Sequence, residues 1–172
     1  MAAAAAASLP VPGEPVAAIG CGTSYHVARA YAALREERNL GTTDAATAPE
    51  LSLHRSYGRV VAISRSGTTT EVLRTLEMLR GSTATVAVTA VPGSPVASAA
   101  DDTIVLDFAN EQSVVQTRFA TTALALLRAH IGDRLEAAIV DGEAALAEPL
   151  PVEPTEFRQF VFRAGLDRRP RE

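Results

Sequence analysis

The 172 residues contain no lysine, so all sixteen basic side chains are arginine. That absence excludes a lysine Schiff base or a lysine general base supplied by this chain. It also excludes a Walker-type phosphate loop, and no GxGxxG run is present, so NTP hydrolysis and dinucleotide binding are both disfavoured. The single cysteine, Cys21, has no partner for an intramolecular disulfide. No stretch approaches the roughly 18 unbroken apolar residues that a spanning helix needs. A soluble, cytoplasmic protein without a membrane role is expected. A net charge of −4 provides no diffuse basic field for nucleic acid, so an anion must be held by a local, shaped site. The expected partner is a small molecule, and no cofactor and no metal is expected.

With 47% hydrophobic residues, the chain has enough apolar material for one globular domain with a sizeable core. Met1 to Ser8 is an alanine run without the basic start of a signal peptide, and residues 1–14 are expected to be a disordered leader. Val16 to Ile19 is a short apolar run followed by "GCGTS", after which Val27, Ala30, Tyr31 and Leu34 repeat at helical spacing with Gly41 near the helix end. "DAATA" predicts a short strand, and "PELSLHRSY" a short helix. The strand–turn–helix pattern recurs at Arg59 to Ile63, through "SRSGT", into a helix with Val72, Leu73, Leu76 and Leu79 on one face. "TATVAVTAV" and "DTIVLDF" predict two further strands, separated by a loop with a helical turn, and Val114 to Ile131 a last core helix. Five strands joined by crossovers imply an α/β fold: a five-stranded parallel sheet with helices on both faces.

Serine and threonine concentrate where the strands end. In a parallel sheet those ends share one crevice, and the following helices point their N-termini into it. Ser24 and the Ser64 to Thr69 stretch both fall there, while Gly20, Gly22 and Gly67 allow close backbone approach, which together describes an anion cradle suited to phosphate. The plainer alternative is that Thr68 and Glu71 form a capping box and "GCGTS" a tight turn.

"IGCGTSYHVA", "AISRSGTTTEVL" and "NEQSVVQTRFATTALALL", in this order, resemble the sugar isomerase (SIS) domain. The similarity covers about residues 15–132 and is nearest to the first SIS domain in the isomerase half of glucosamine-6-phosphate synthases and related amino-sugar phosphate isomerases. The resemblance implies a flavodoxin-like three-layer sandwich that binds a phosphosugar, as a homodimer. By motif it assigns the phosphate to Ser24, Ser64, Ser66 and Thr69, with Cys21, Gly22 and Thr23 lining the first turn. Arg65 stands where the synthases usually have glutamine, so it either adds charge to the cradle or points into a subunit interface. Val114 and Gln116, with Thr117 close by, fall in the segment that holds the sugar hydroxyls, and Gln116 replaces the synthases' serine.

Aldose–ketose isomerisation needs a base for the C1–C2 proton and a group that opens the ring. In the two-domain synthases these come mainly from a second SIS domain and the C-terminal tail. A helix at 133–148 and a linker with the start of a second SIS domain, or a tail, at 149–172 are expected here, which would make the polypeptide a fragment, a frameshifted product or a subunit needing a partner. The catalytic candidates are Glu50, His54 and Glu111, with His26 beside the first turn. Glu50 and His54, four apart, would share one face of a helical "PELSLHRSY", as in single-SIS isomerases, or form an ordinary surface pair. Glu111 equally suits a carboxylate favoured near a helix N-terminus. The readings are a hexose 6-phosphate-binding domain derived from an aminotransferase-like isomerase, an active single-SIS isomerase, and a non-catalytic sugar-phosphate sensor.

Overall fold

A computed structural model describes residues 8–113, 115–150 and 153–156. Met1–Ala7, Val114, residues 151–152 and residues 157–172, where the start of a second SIS domain or a tail was expected, lie outside the described residues. Residues 136–172 form a unit separate from the main body.

In the body, five strands form one sheet: β1 (Val16–Gly20), β2 (Thr43–Thr47), β3 (Arg59–Ile63), β4 (Ala84–Thr89) and β5 (Asp102–Val105). Their order is β2-β1-β3-β4-β5 and every pairing is parallel. The helices are α1 (Thr23–Glu37), α2 (Thr70–Leu79), α3 (Pro95–Ala99) and α4 (Arg118–His130). The central strands read as unbroken apolar runs because both sheet faces are covered. The two-residue side-chain period still sorts them. Val16, Ala18, Val61, Ile63, Val86 and Val88 join Val27 and Tyr31 of α1 and Phe119 and Leu127 of α4 in one core. Ala17, Ile19, Val60, Ala62 and Ala87 join Val72, Leu76 and Leu79 of α2 and Val96 of α3 in the other.

From β1 the chain crosses outward to β2; from β3 it crosses the opposite way to β4. Right-handed crossovers that travel in opposite directions put α1 and α2 on opposite faces, so a crevice opens between the carboxyl ends of β1 and β3. Gly20 and Ile63 are register partners there.

Several sequence expectations are corrected. Residues 8–14 of the expected leader pack onto the body: Leu9 is buried in the first core. Arg35, itself fully buried, donates to the carbonyls of Val11 (3.4 Å), Glu14 (3.2 Å) and Leu40 (2.7 Å) and to Thr43 Oγ1 (3.0 Å). α1 ends at Glu37, and Asn39, not Gly41, is the first residue after it at positive φ. The expected strand "DTIVLDF" stops at Val105, and a 3-10 turn follows at Asp107–Ala109, where Asp107 Oδ1 accepts the Phe108 N–H.

The helix expected over 133–148 spans Glu136–Ala147 (α5). Among the described residues, no helix is long and apolar enough to cross a membrane.

Candidate functional site

The first turn leaves β1 at Gly20, where a Cβ would lie 2.7 Å from the Ser24 carbonyl carbon, so only glycine lets α1 begin this close to the strand. Gly22 precedes the helix at φ 56°, ψ −129°, a region open to glycine alone. Ser24 is buried; Cys21 and Thr23 are half-buried and Gly22 exposed beside it. Burial, opposed by the Ala48 backbone and reinforced by Glu71, pushes the Cys21 thiol up, so it stays protonated and adds no negative charge to the turn. No side chain caps α1, and its first turn carries no acidic residue. Its free N–H groups therefore keep their partial positive charge at this end.

The second turn follows β3. Ser64 is buried, and its hydroxyl lies 3.0 Å from that of Thr69. Ser66 Oγ accepts from both the N–H and the hydroxyl of Thr68, at 3.3 and 3.0 Å. This engages Thr68, and the capping-box alternative does not form: the residue at the start of α2 is Thr69, whose side chain makes no capping bond. The second helix start is thus as uncapped as the first.

Thr89, Ala90, Ser94 and Val96, which the sequence reading did not single out, hold this turn in place. Gly67, at φ 64°, packs so tightly that an added Cβ would sit 2.0 Å from Ser94 Oγ and 3.1 Å from Thr89 Oγ1. Its carbonyl accepts from Val96 N at 2.8 Å, and the Arg65 carbonyl accepts from Ala90 N (3.1 Å) and Thr89 Oγ1 (3.2 Å). Ser94 also caps α3, ahead of Pro95. That Ser-Pro start was readable in "PGSPVASAA"; its contact with Gly67 was not, since nothing local encodes it.

The third piece is the Asn110–Thr117 segment. Glu111 accepts bonds from Phe119 N (2.9 Å), Thr117 N (2.9 Å), Thr117 Oγ1 (3.0 Å) and Ser113 Oγ (2.8 Å). The Phe119 N–H first, then the Ser113 hydroxyl and Thr117, hold its carboxyl down at about 2 against the opposing effect of burial. These bonds shorten the expected helix: α4 begins at Arg118 rather than at residue 114, because the carboxylate takes N–H groups that an earlier helical turn would have used. Gln116 Oε1 accepts from Ser24 Oγ at 3.4 Å, and the Ser113 carbonyl accepts from Arg65 Nη1 at 2.5 Å. Arg65 therefore reaches across to the third segment. Val114 lies outside the described residues.

Ser24, Ser64, Ser66, Thr69, Arg65 and Gln116 are brought to one end of the sheet. The helical face expected to carry both Glu50 and His54 does not form. Pro49 allows one 3-10 turn, Ala48–Glu50, and Leu51 at φ −60°, ψ 125° leaves it, so the expected helix is absent and the shared helical face with it. Glu50 follows the carboxyl end of β2. Arg55, next to His54, pairs with Asp44 near the opposite end of that strand. His26 is exposed on α1.

The SIS domain family matches residues 15–131. No curated protein matches the chain. Among solved structures, glucosamine-6-phosphate deaminase from Thermotoga maritima is 27% identical, with TM-score 0.62, covering 69% of this chain and 39% of that one. NanR of Vibrio vulnificus, complexed with ManNAc-6P, is 22% identical, with TM-score 0.57, covering 84% and 57%. The C-terminal domain of glucosamine-fructose-6-phosphate aminotransferase from Francisella tularensis is 20% identical, with TM-score 0.60, covering 78% and 42%. The chain spans less than two thirds of each of these three structures.

Proposed function

The chain belongs to the SIS domain family, and from that premise we propose that it binds a hexose 6-phosphate in the crevice between β1 and β3. Ser24, Ser64, Ser66 and Thr69 donate hydroxyl bonds to the phosphate, and the uncapped starts of α1 and α2 add N–H donors and favourable dipole ends. Cys21, Gly22 and Thr23 shape the first turn, and the sugar extends toward Val114 and Gln116. The observation that carries the reading is the pair of hydroxyl-rich turns on register-matched neighbouring strands, each opening a helix that no side chain caps. The deaminase is named for a hexosamine 6-phosphate and NanR is complexed with another, which agrees with this ligand class.

The domain descends from an aldose–ketose sugar-phosphate isomerase and acts chiefly as a binding module, as a homodimer in which α4 lies at or near the seam. A second reading, a working isomerase, rests on Glu50, which follows the carboxyl end of β2 on the same side of the sheet as the two turns. Residues 15–132 are the binding domain and 133–148 a helical extension.

Calorimetry with glucosamine 6-phosphate and fructose 6-phosphate tests the site. Ser66→Ala is expected to lose about 1.5–3 kcal/mol of binding free energy, the contribution of a hydrogen bond to a charged group. Unchanged affinity removes Ser66 from the site, and light scattering that finds a monomer at micromolar concentration removes the dimer.

A further inference from the structure

The Asn110–Thr117 segment is tied to both turns, and by different chemistry. Toward the first turn it offers Gln116 Oε1 to Ser24 at 3.4 Å, a long neutral bond. Toward the second it offers the Ser113 carbonyl to the Arg65 guanidinium at 2.5 Å, a short charged one. Both ends of this second tie are fixed. The Arg65 carbonyl is held at the end of β4 by Ala90 N and Thr89 Oγ1, and the single proton of the Ser113 hydroxyl is shared between Glu111 Oε2 (2.8 Å) and the Val115 carbonyl (2.7 Å). Arg65 thus bridges the second turn and Ser113 across 48 positions of chain.

We propose that Arg65 is a specificity-determining positioning residue: by clasping Ser113 it sets the distance between the second turn and the Asn110–Thr117 segment, so that the cradle distinguishes a hexose phosphate from inorganic phosphate. The proposal rests on the sugar-phosphate reading above. Phosphate oxygens meet the hydroxyl turns in either ligand. Only a hexose extends beyond the turns toward Gln116, so displacing the segment weakens the hexose phosphate and leaves inorganic phosphate with its contacts. A planar guanidinium offers five N–H donors in a rigid fork; lysine keeps the charge on a flexible stem without that geometry, and glutamine is shorter and neutral.

The full chain is titrated by calorimetry with inorganic phosphate and with glucosamine 6-phosphate, as wild type, Arg65→Lys and Arg65→Gln. Hydrogen exchange across residues 111–119 is followed in the same three proteins without ligand. Arg65→Lys is expected to lose roughly tenfold or more in hexose phosphate affinity, the scale of one hydrogen bond to a charged group, with a smaller loss for inorganic phosphate. Exchange across 111–119 rises in both variants while the amides of β1 and β3 keep their protection. An equal loss for the two ligands in Arg65→Lys, or unchanged exchange across 111–119 in both variants, overturns the clasp. A wild type that binds neither ligand overturns the sugar-phosphate reading and the discrimination with it. Faster exchange in the variants then still supports the tie to Ser113, and unchanged exchange still refutes it.

Discussion

Ser24 and Gln116, 92 positions apart, meet at 3.4 Å at the mouth of the crevice, so the residue that closes the first turn also receives the loop from the far side of the sheet. The pairing exists because β1 is an interior strand and β5 is at an edge, with α4 returning across the face that α1 covers.

The tightest point of the site is the contact between Gly67 and Ser94. Gly67→Ala is expected to destabilise the fold by about 1–2 kcal/mol for a side chain at positive φ, plus roughly 1–3 kcal/mol for the collision with Ser94. Gly93→Ala is the control: its φ is 63° but a Cβ would meet nothing within 4 Å, so only the backbone cost applies. Urea unfolding of the two variants measures the difference, and equal losses would show that Ser94 moves aside freely.

Glu111 should betray its role through pH. Its folded-state value of about 2 lies below the ordinary 4.5, so the folded protein gives up this proton more readily than the unfolded chain. Its stabilisation is complete above pH 4.5 and fades as the pH falls toward about 2. Glu111→Gln is expected to be less stable at neutral pH and to show a shallower loss on acidification over that window. Superimposable acid-unfolding curves would mean that the carboxylate does not hold the start of α4.

The same value makes Glu111 a poor general base near neutrality, since a carboxylate held this acidic has little affinity for a proton. With lysine absent from the sequence and Glu50 and His54 sharing no helix, the chain should bind a hexose 6-phosphate yet exchange its C2 proton weakly or not at all in deuterated buffer followed by NMR. Robust exchange would favour the isomerase reading, and its loss in Glu50→Gln but not in Glu111→Gln would identify the base.

Where α1 meets α4, the Tyr31 hydroxyl lies 3.4 Å from His130 Nδ1. Burial first, and then the nearby Arg35 charge, push the imidazole below its ordinary 6.5. The folded state therefore prefers the neutral ring. This contribution is complete above pH 6.5 and is lost as the pH drops through the lower folded-state value. Melting temperature should decline from pH 7.5 to 5 in the wild type and less in His130→Gln; parallel profiles would exclude the pair as the cause.

The strands and both hydroxyl turns were legible because the signals are local: an apolar run such as "RVVAI" stops at a Ser- and Gly-rich turn, and a helical period follows. What failed were patterns that admit two physical outcomes. Thr68 and Glu71 have capping-box spacing, but the N-cap position falls one residue later, on Thr69. "PELSLHRSY" has helical spacing, yet its one 3-10 turn ends at Glu50. Helical periodicity runs back to Val114 in sequence, but the Glu111 carboxylate delays the helix to Arg118. The Arg65 to Ser113 tie had no sequence signal, because a carbonyl acceptor carries no residue identity.

Arg35 makes the unit that folds longer than the unit that the family shares. The family match begins at residue 15, but two of the carbonyls that solvate this buried guanidinium belong to Val11 and Glu14. A chain trimmed at the boundary drawn by similarity would strand a positive charge in the interior and leave Leu9's place in the core empty, so similarity marks what is inherited and electrostatics marks where the domain physically begins.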